Sequence, residues 1–367
     1  MSSIQSSAVA NLGTEPPSWP TRVLTLVPLG FIAWLAMVFS AHPVVSHLGM
    51  SALTLAMFAG MVAGNTLPQR WLTPLAPGMQ LARQQLLRLG VALYGLRLTF
   101  GAIADLGLAG VLVPLAMLVS TMLLGIWIGS SLLGLSRREA ILVSAGSAVC
   151  GAAAAIAVAS VVRTDDRQTA VAVATVVLFG TAGMLLYPYL FELATQHWHL
   201  AISERTFGIY TGATLHEVAQ VIASGKMVSD ATADAAVVTK MVRVLALGPL
   251  LLVLALWPKA GIGLEEEGNG EKGAGGRPWG AILKAIPWFA VGFVAVMAVH
   301  SAGLVPQDWK PALLAFDNWL LACAMLAIGL HTRIGTLLRA GRKPLVLAGL
   351  LFVFLVCGGA LLCAAVA

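Results

Sequence analysis

Charge is scarce in this chain. Charged residues make up 10% of its 367 residues, against about 25% in a soluble domain. Hydrophobic residues reach 59% and mean hydropathy is +0.88. One soluble core of this size cannot hide so much apolar surface, so the soluble fold classes are excluded. Nucleotide-binding loops are missing: no Walker or dinucleotide fingerprint occurs, and ATP-driven work by this chain alone is set aside. Cysteines are few. Cys150, Cys323, Cys357 and Cys363 lack metal-ligand spacing and read as small apolar packing residues. No metal or other cofactor is expected. The first twenty residues are polar, with Pro16, Pro17 and Pro20. They lack a basic region leading straight into an apolar stretch, so the first span reads as a retained anchor and not as a cleaved signal.

Long apolar runs are abundant. About 20 helical residues cross a bilayer. Runs of that order lie near Val23–Ser40, Leu48–Leu67, Pro77–Leu98, Leu106–Leu133, Ala140–Val162 and Ala170–Phe191. Five more lie near Phe207–Ser224, Ala235–Trp257, Ile282–Val299, Pro311–Leu330 and Leu345–Val366. The expectation is an all-α polytopic membrane protein of about eleven transmembrane segments. A tail (1–21) precedes a first membrane part (22–257), a Gly- and Glu-rich flexible linker (258–280) and a second membrane part (281–367). Arg22, Arg70, Arg137, Arg138, Arg205, Arg339, Arg342 and Lys343 fall on one set of loops, with the linker's basic residues; Arg163, Arg167, Lys226 and Lys310 fall on the alternate set. That bias predicts a cytoplasmic N-terminus and a C-terminus outside. No nucleic-acid partner is needed to account for the net charge of +6.

A constant offset aligns Leu86, Leu87, Gly95, Leu96, Gly107 and Gly125 with Leu320, Leu321, Gly329, Leu330, Gly341 and Gly359. Seven spans separate the copies, so the second enters from the other side. This is the inverted repeat of secondary transporters.

Three segments carry candidate chemistry. Residues 145–155 are small at ten of eleven positions, and Gly146 and Gly151 can break the helix there. A break in mid-bilayer frees backbone N–H groups for an ion or a cavity. The alternative is a tight packing face. Thr211, Gly212, Thr214, His216, Glu217 and Gln220 crowd another short apolar stretch. An intramembrane carboxylate is a functional hypothesis by default; the competing reading is a solvated connector. Thr211 or Thr214 is expected to cap a half-helix, and His216 and Gln220 to share a face. Lys240 and Arg243, three apart, either snorkel to the interface or face an anion. Arg97 and His331 occupy equivalent repeat positions, and Asp317 and Asn318 are further polar candidates. His216–Glu217 also begins like a zincin helix, but Gln220 stands where the second His would be.

Leu86–Leu98, Gly146–Ala152, Thr211–Val221 and Lys240–Val244 together resemble the YeiH-like family, described as sulfate exporters. The resemblance runs from the first span to the C-terminus. It implies a bacterial inner-membrane carrier related to cation/proton antiporters and bile-acid symporters, with two broken helices crossing at Gly146–Ala152 and Thr211–Gln220. It also implies export of sulfate, sulfite or an organosulfonate, by an elevator-like motion and in a homodimer. Gly146, Ser147, Cys150, Gly151, Thr211, Gly212, Thr214, His216, Glu217, Gln220, Lys240 and Arg243 are the expected binding residues, with protons or sodium as coupling ion. Free N–H groups at two half-helix N-termini would suit an anion. A cation/proton antiporter and an intramembrane metallohydrolase are the competing readings.

Overall fold

The computed structural model describes residues 18–42, 51–162, 164, 166–256, 288–332 and 341–366. Among them every regular element is helical. The chain begins with α1 (Trp19–Ser40), α2 (Ala52–Thr66), a helical run α3 (residues 76–97) and α4 (Ala109–Trp127). Two short helices follow, α5 (Arg137–Ala148) and α6 (Ala152–Val162), then the long α7 (Asp166–Glu192). A second short pair is α8 (Glu204–Thr214) and α9 (Val218–Val228), followed by α10 (Asp230–Leu245) and α11 (Leu247–Leu256). The last are α12 (Trp288–Ser301), α13 (Lys310–His331) and α14 (Arg342–Val366). Starts are set locally: the hydroxyls of Ser51, Ser136, Ser203 and Ser229 accept from the backbone N–H three residues on.

Among the described residues, six helices are long and apolar enough to cross a bilayer: Trp19–Ser40, Ala109–Leu132, Arg167–His197, Asp230–Ala255, Lys310–His331 and Arg342–Val366. Their outward faces expose Leu24, Phe31, Leu123, Val253, Phe316 and Leu361. Only a hydrocarbon solvent favours such a surface. The second expected span is a 15-residue helix and the ninth a 14-residue one. The third holds one π turn at Ala82–Leu86 and ends in a 3-10 turn at Tyr94–Arg97.

Contacts fix which end of the molecule each helix reaches. The start of α3 lies on the start of α1, Gly78 against Thr25; this is the near end. The far end holds Arg97, Asp105 and Arg205, the last two paired to each other. α7 runs from near to far. Gly151 meets Val176, Gly180 meets Gln220, Gly183 meets Leu215, and Phe191 meets Phe207, in that order.

This order overturns one expectation. The two broken segments do not cross the molecule. Ser229, just after α9, donates its hydroxyl to Glu204 at the start of α8 (2.7 Å), and Thr232 donates to the Glu204 carbonyl (3.2 Å). Both arms of α8–α9 therefore open at the far end. The α5–α6 pair mirrors it. α4 ends and α5 begins at the near end, α7 also begins there, and Gly146 of α5 lies against Ala155 of α6. Each break is thus the tip of a helical hairpin that enters halfway and returns. A run of small residues suits either arrangement, since arms lying side by side need close approach as much as a crossing does. Loop sides between the hairpins change accordingly: Arg167 moves to the N-terminal end, and Arg205 moves away from it. The bias of positive charge toward the N-terminal end remains.

Two bundles result. α1, α2, α3, α12 and α13 pack together, tightest where Gly60 and Gly64 of α2 press on the α13 backbone at Leu326 and Leu330. The hairpins pack with α4, α7, α10 and α14, tightest where Gly208 and Gly212 of α8 meet α10. The linker (258–280) and the first 17 residues lie outside the described residues.

Candidate functional site

The hairpin tips meet in the middle of the fold, and their two sides have opposite chemistry. α5 and α8 end there with backbone carbonyls that no helical partner satisfies. Lys240 and Arg243, both fully buried on α10, supply the donors. Lys240 Nζ donates to the carbonyls of Val149 (2.7 Å) and Leu215 (2.6 Å). Arg243 donates to Ser147 (2.8 Å), Ala148 (2.8 Å), Ala213 (2.6 Å) and Leu215 (3.2 Å). The two cations thus hold both tips together and balance two helix C-terminal dipole ends. They do not snorkel, and neither lines the cavity on the other side of the tips.

The other side carries the N-termini of α6 and α9. The helix break at the first tip uses Gly151 at φ +79°, a left-handed conformation that glycine adopts freely. A β-carbon there would lie 2.6 Å from Glu217 Cγ, so glycine also lets the two tips touch. Glu217 is the N-cap of α9, and its Oε1 accepts from the N–H of Ala152, the first residue of α6 (3.5 Å). One carboxylate therefore sits at two positive helix ends. Gln220 Oε1 accepts from the Glu217 N–H (3.2 Å). The cap is thus Glu217, where Thr211 or Thr214 was expected.

A cavity of roughly 190 Å³ opens on this side. Cys150, Ala152, Ala153, Glu217 and Val218 form its hairpin wall; Arg83, Gln84, Leu87, Arg88, Phe289 and His331 form the facing wall from α3, α12 and α13. The rim residues Gln84, Arg88 and His331 are exposed, and the cavity opens toward the near end. The wall between the two bundles is therefore where a ligand has access.

Of the expected residues, Cys150 and Glu217 line this cavity, and Gly151 and Gln220 support it from behind. Gly146 packs on Val176 and Gly212 on the Ala236 carbonyl. Thr214 donates to the Tyr210 carbonyl and accepts from Tyr187. Ser147, Thr211 and His216 are buried away from the cavity, with side-chain atoms that make no hydrogen bond among the described residues. His216 lies in the break and not on α9, so it shares no helix face with Gln220. It turns toward Phe352 while Glu217 turns to the cavity. No group of three His, Cys, Asp or Glu among the described residues could hold a metal. Arg97 pairs with Asp317 (3.0 Å) and Asn318 (3.0 Å) at the far end, and Asp317 is buried there. Sequence reasoning missed Arg83. The signal was present: an arginine inside a predicted span is itself a site hypothesis.

The family profile of conserved hypothetical protein 698 matches residues 24–348. The UPF0324 membrane protein RSc1111 of Ralstonia nicotianae is 52% identical over 345 residues, 93% of each chain. The UPF0324 membrane protein PA5383 of Pseudomonas aeruginosa is 44% identical over 352 residues, 95% of this chain and 96% of its own. The UPF0324 inner membrane protein YeiH of Escherichia coli K12 is 43% identical over 341 residues, 93% of this chain and 92% of its own. No solved structure matches.

Proposed function

Because the chain belongs to the YeiH-like family of UPF0324 inner membrane proteins, we propose that it is a secondary carrier of a small sulfur-containing anion, with Glu217 as the proton-handling group. One observation carries the reading: two hairpins enter from opposite ends, and both of their second-arm N-termini face the cavity that holds Glu217. Paired helix N-termini attract anions, and Arg83 and Arg88 add positive charge. Half-inserted elements meeting at mid-depth are the transporter pattern of a midplane site.

The proposed topology is nine crossing segments and two hairpins, in place of eleven crossings. The odd number keeps the termini on opposite sides, and the bias of positive charge puts the N-terminus in the cytoplasm and the C-terminus outside, so the cavity opens inward. α3 and α13 run in opposite directions, as do α4 and α14, which supports the inverted repeat. The hairpin bundle is the moving part and the α1–α3, α12, α13 bundle the frame of an elevator-like cycle.

The test is flux of radiolabelled sulfite and sulfate into proteoliposomes, with and without a pH gradient. Saturable flux that Glu217→Gln slows and uncouples from the gradient is expected. A second reading, a monovalent cation/proton antiporter, has Glu217 itself in its favour. Sodium-driven proton movement without anion flux would select it.

A further inference from the structure

We propose that the cavity takes anions carrying a hydrogen-bond donor of their own, such as hydrogen sulfite or a hydroxyalkanesulfonate, and discriminates against sulfate. This rests on the anion-carrier reading and narrows its substrate class.

Glu217 and Arg83 line one cavity from opposite walls. They are not paired with each other: the ion pairs among the described residues are Arg97–Asp317, Arg205–Asp105 and Lys226–Asp230. The space between them therefore presents an acceptor on one side and cations on the other. An ionised carboxylate accepts and cannot donate. It repels a bare oxyanion brought to the same tip, at short range and away from bulk water. An anion with an O–H or N–H group reverses that contact into a charge-assisted hydrogen bond. Its oxygens remain available to Arg83, Arg88 and the α6 N-terminus. Leu87, Val91, Ile156 and Phe289 add apolar surface, beside Gln84 and His331 at the rim. That suits a short carbon chain between donor and acid group, and it offers sulfate nothing for the water it gives up. Glu217 is then the specificity-determining residue, and the proton it handles is shared with the ligand.

Purified full-length protein in detergent tests this by thermal-shift titration at neutral pH. The probes are sulfate, ethanesulfonate and 2-hydroxyethanesulfonate, the last two differing only in the hydroxyl. In the wild type, half-saturation by 2-hydroxyethanesulfonate is expected at a concentration at least about tenfold below that of the other two, since a site built around a polar partner rejects analogues that lack it. Glu217→Gln, whose amide both donates and accepts, should shrink the ratio to within about threefold, and Glu217→Asp should keep the order. Unliganded melting and the size-exclusion profile report whether each variant is folded. The wild-type comparison stands without them. Equal half-saturation in the wild type, or a ratio that survives Glu217→Gln, overturns the inference and leaves the anion carrier intact. If no anion shifts the melting point but sodium does, the carrier reading falls and this inference with it.

Discussion

Arg243 spends all of its nitrogens on main-chain oxygens. Replacing it by Met leaves the carbonyls of Ser147, Ala148 and Ala213 without this donor in the dry centre of the fold. Each orphaned group costs about 1–3 kcal/mol, so the loss falls on stability before it falls on transport. The expected result is a lower melting point and poor yield in Arg243→Met, with partial recovery in Arg243→Lys, which keeps the charge but reaches fewer carbonyls. A normally stable Arg243→Met protein with altered anion affinity would instead put the guanidinium in the binding site. Sequence reading could find these residues and not their partners. Burial of a charge in an apolar run is visible from spacing, but the groups that satisfy it, 25 to 96 positions away, are brought there only by the two tips. Arg83 was obscured for a related reason: it sits at the π turn, where the usual helical facing rule does not apply.

Among elements, the hairpins make the sharpest claim. A cysteine pair at Glu204 and Ser229 is expected to cross-link readily in a background lacking the native cysteines, because those side chains touch. Crossing helices would hold them most of a ~30 Å hydrocarbon layer apart, and no cross-link would form. Gly212 gives a second test of the same bundle. A β-carbon there would lie 2.2 Å from the Ala236 carbonyl oxygen, so Gly212→Val must push α8 off α10. Overpacking of this kind costs about 1–3 kcal/mol, to be read as lower thermal stability in detergent. The existence and position of both breaks were legible in the sequence, from Gly146–Ala152 and from the polar cluster at Thr211–Gln220. Their direction was not. Eleven apolar runs look alike whether each crosses or folds back at its centre. What separates the cases is tertiary, namely the contact of Glu204 with residues 229 and 232.

For the whole molecule, α3 ties the two ends of the fold together. Toward the near end it presents Arg83 and Arg88 to the open cavity. Eleven residues beyond Arg83, or about 17 Å along a helix, Tyr94 donates to Asp234 Oδ1 of α10 (2.9 Å). Arg97 lies over the Tyr94 ring, 5.0 Å from its centre, and pairs with the buried Asp317 of α13. The frame thus grips the hairpin bundle at the far end while the cavity stands open at the near end. An elevator-like cycle must release this grip before the site can face the other way. Tyr94→Phe removes the donor and keeps the ring over Arg97. A carrier held by this bond should then visit the opposite state more often. The expected outcome is that Ala153→Cys, on the hairpin wall of the cavity, gains about threefold or more in its rate of labelling by an impermeant thiol reagent from the far side when Tyr94→Phe is added, because about 1 kcal/mol lost from one hydrogen bond raises a minor state about fivefold. Labelling of Asp105→Cys from the far side should be the same in both backgrounds, because that side chain is already exposed there. If Tyr94→Phe leaves the far-side Ala153→Cys rate unchanged, the far-end contact is packing between fixed bundles, and the motion would have to be sought in the hairpin tips themselves.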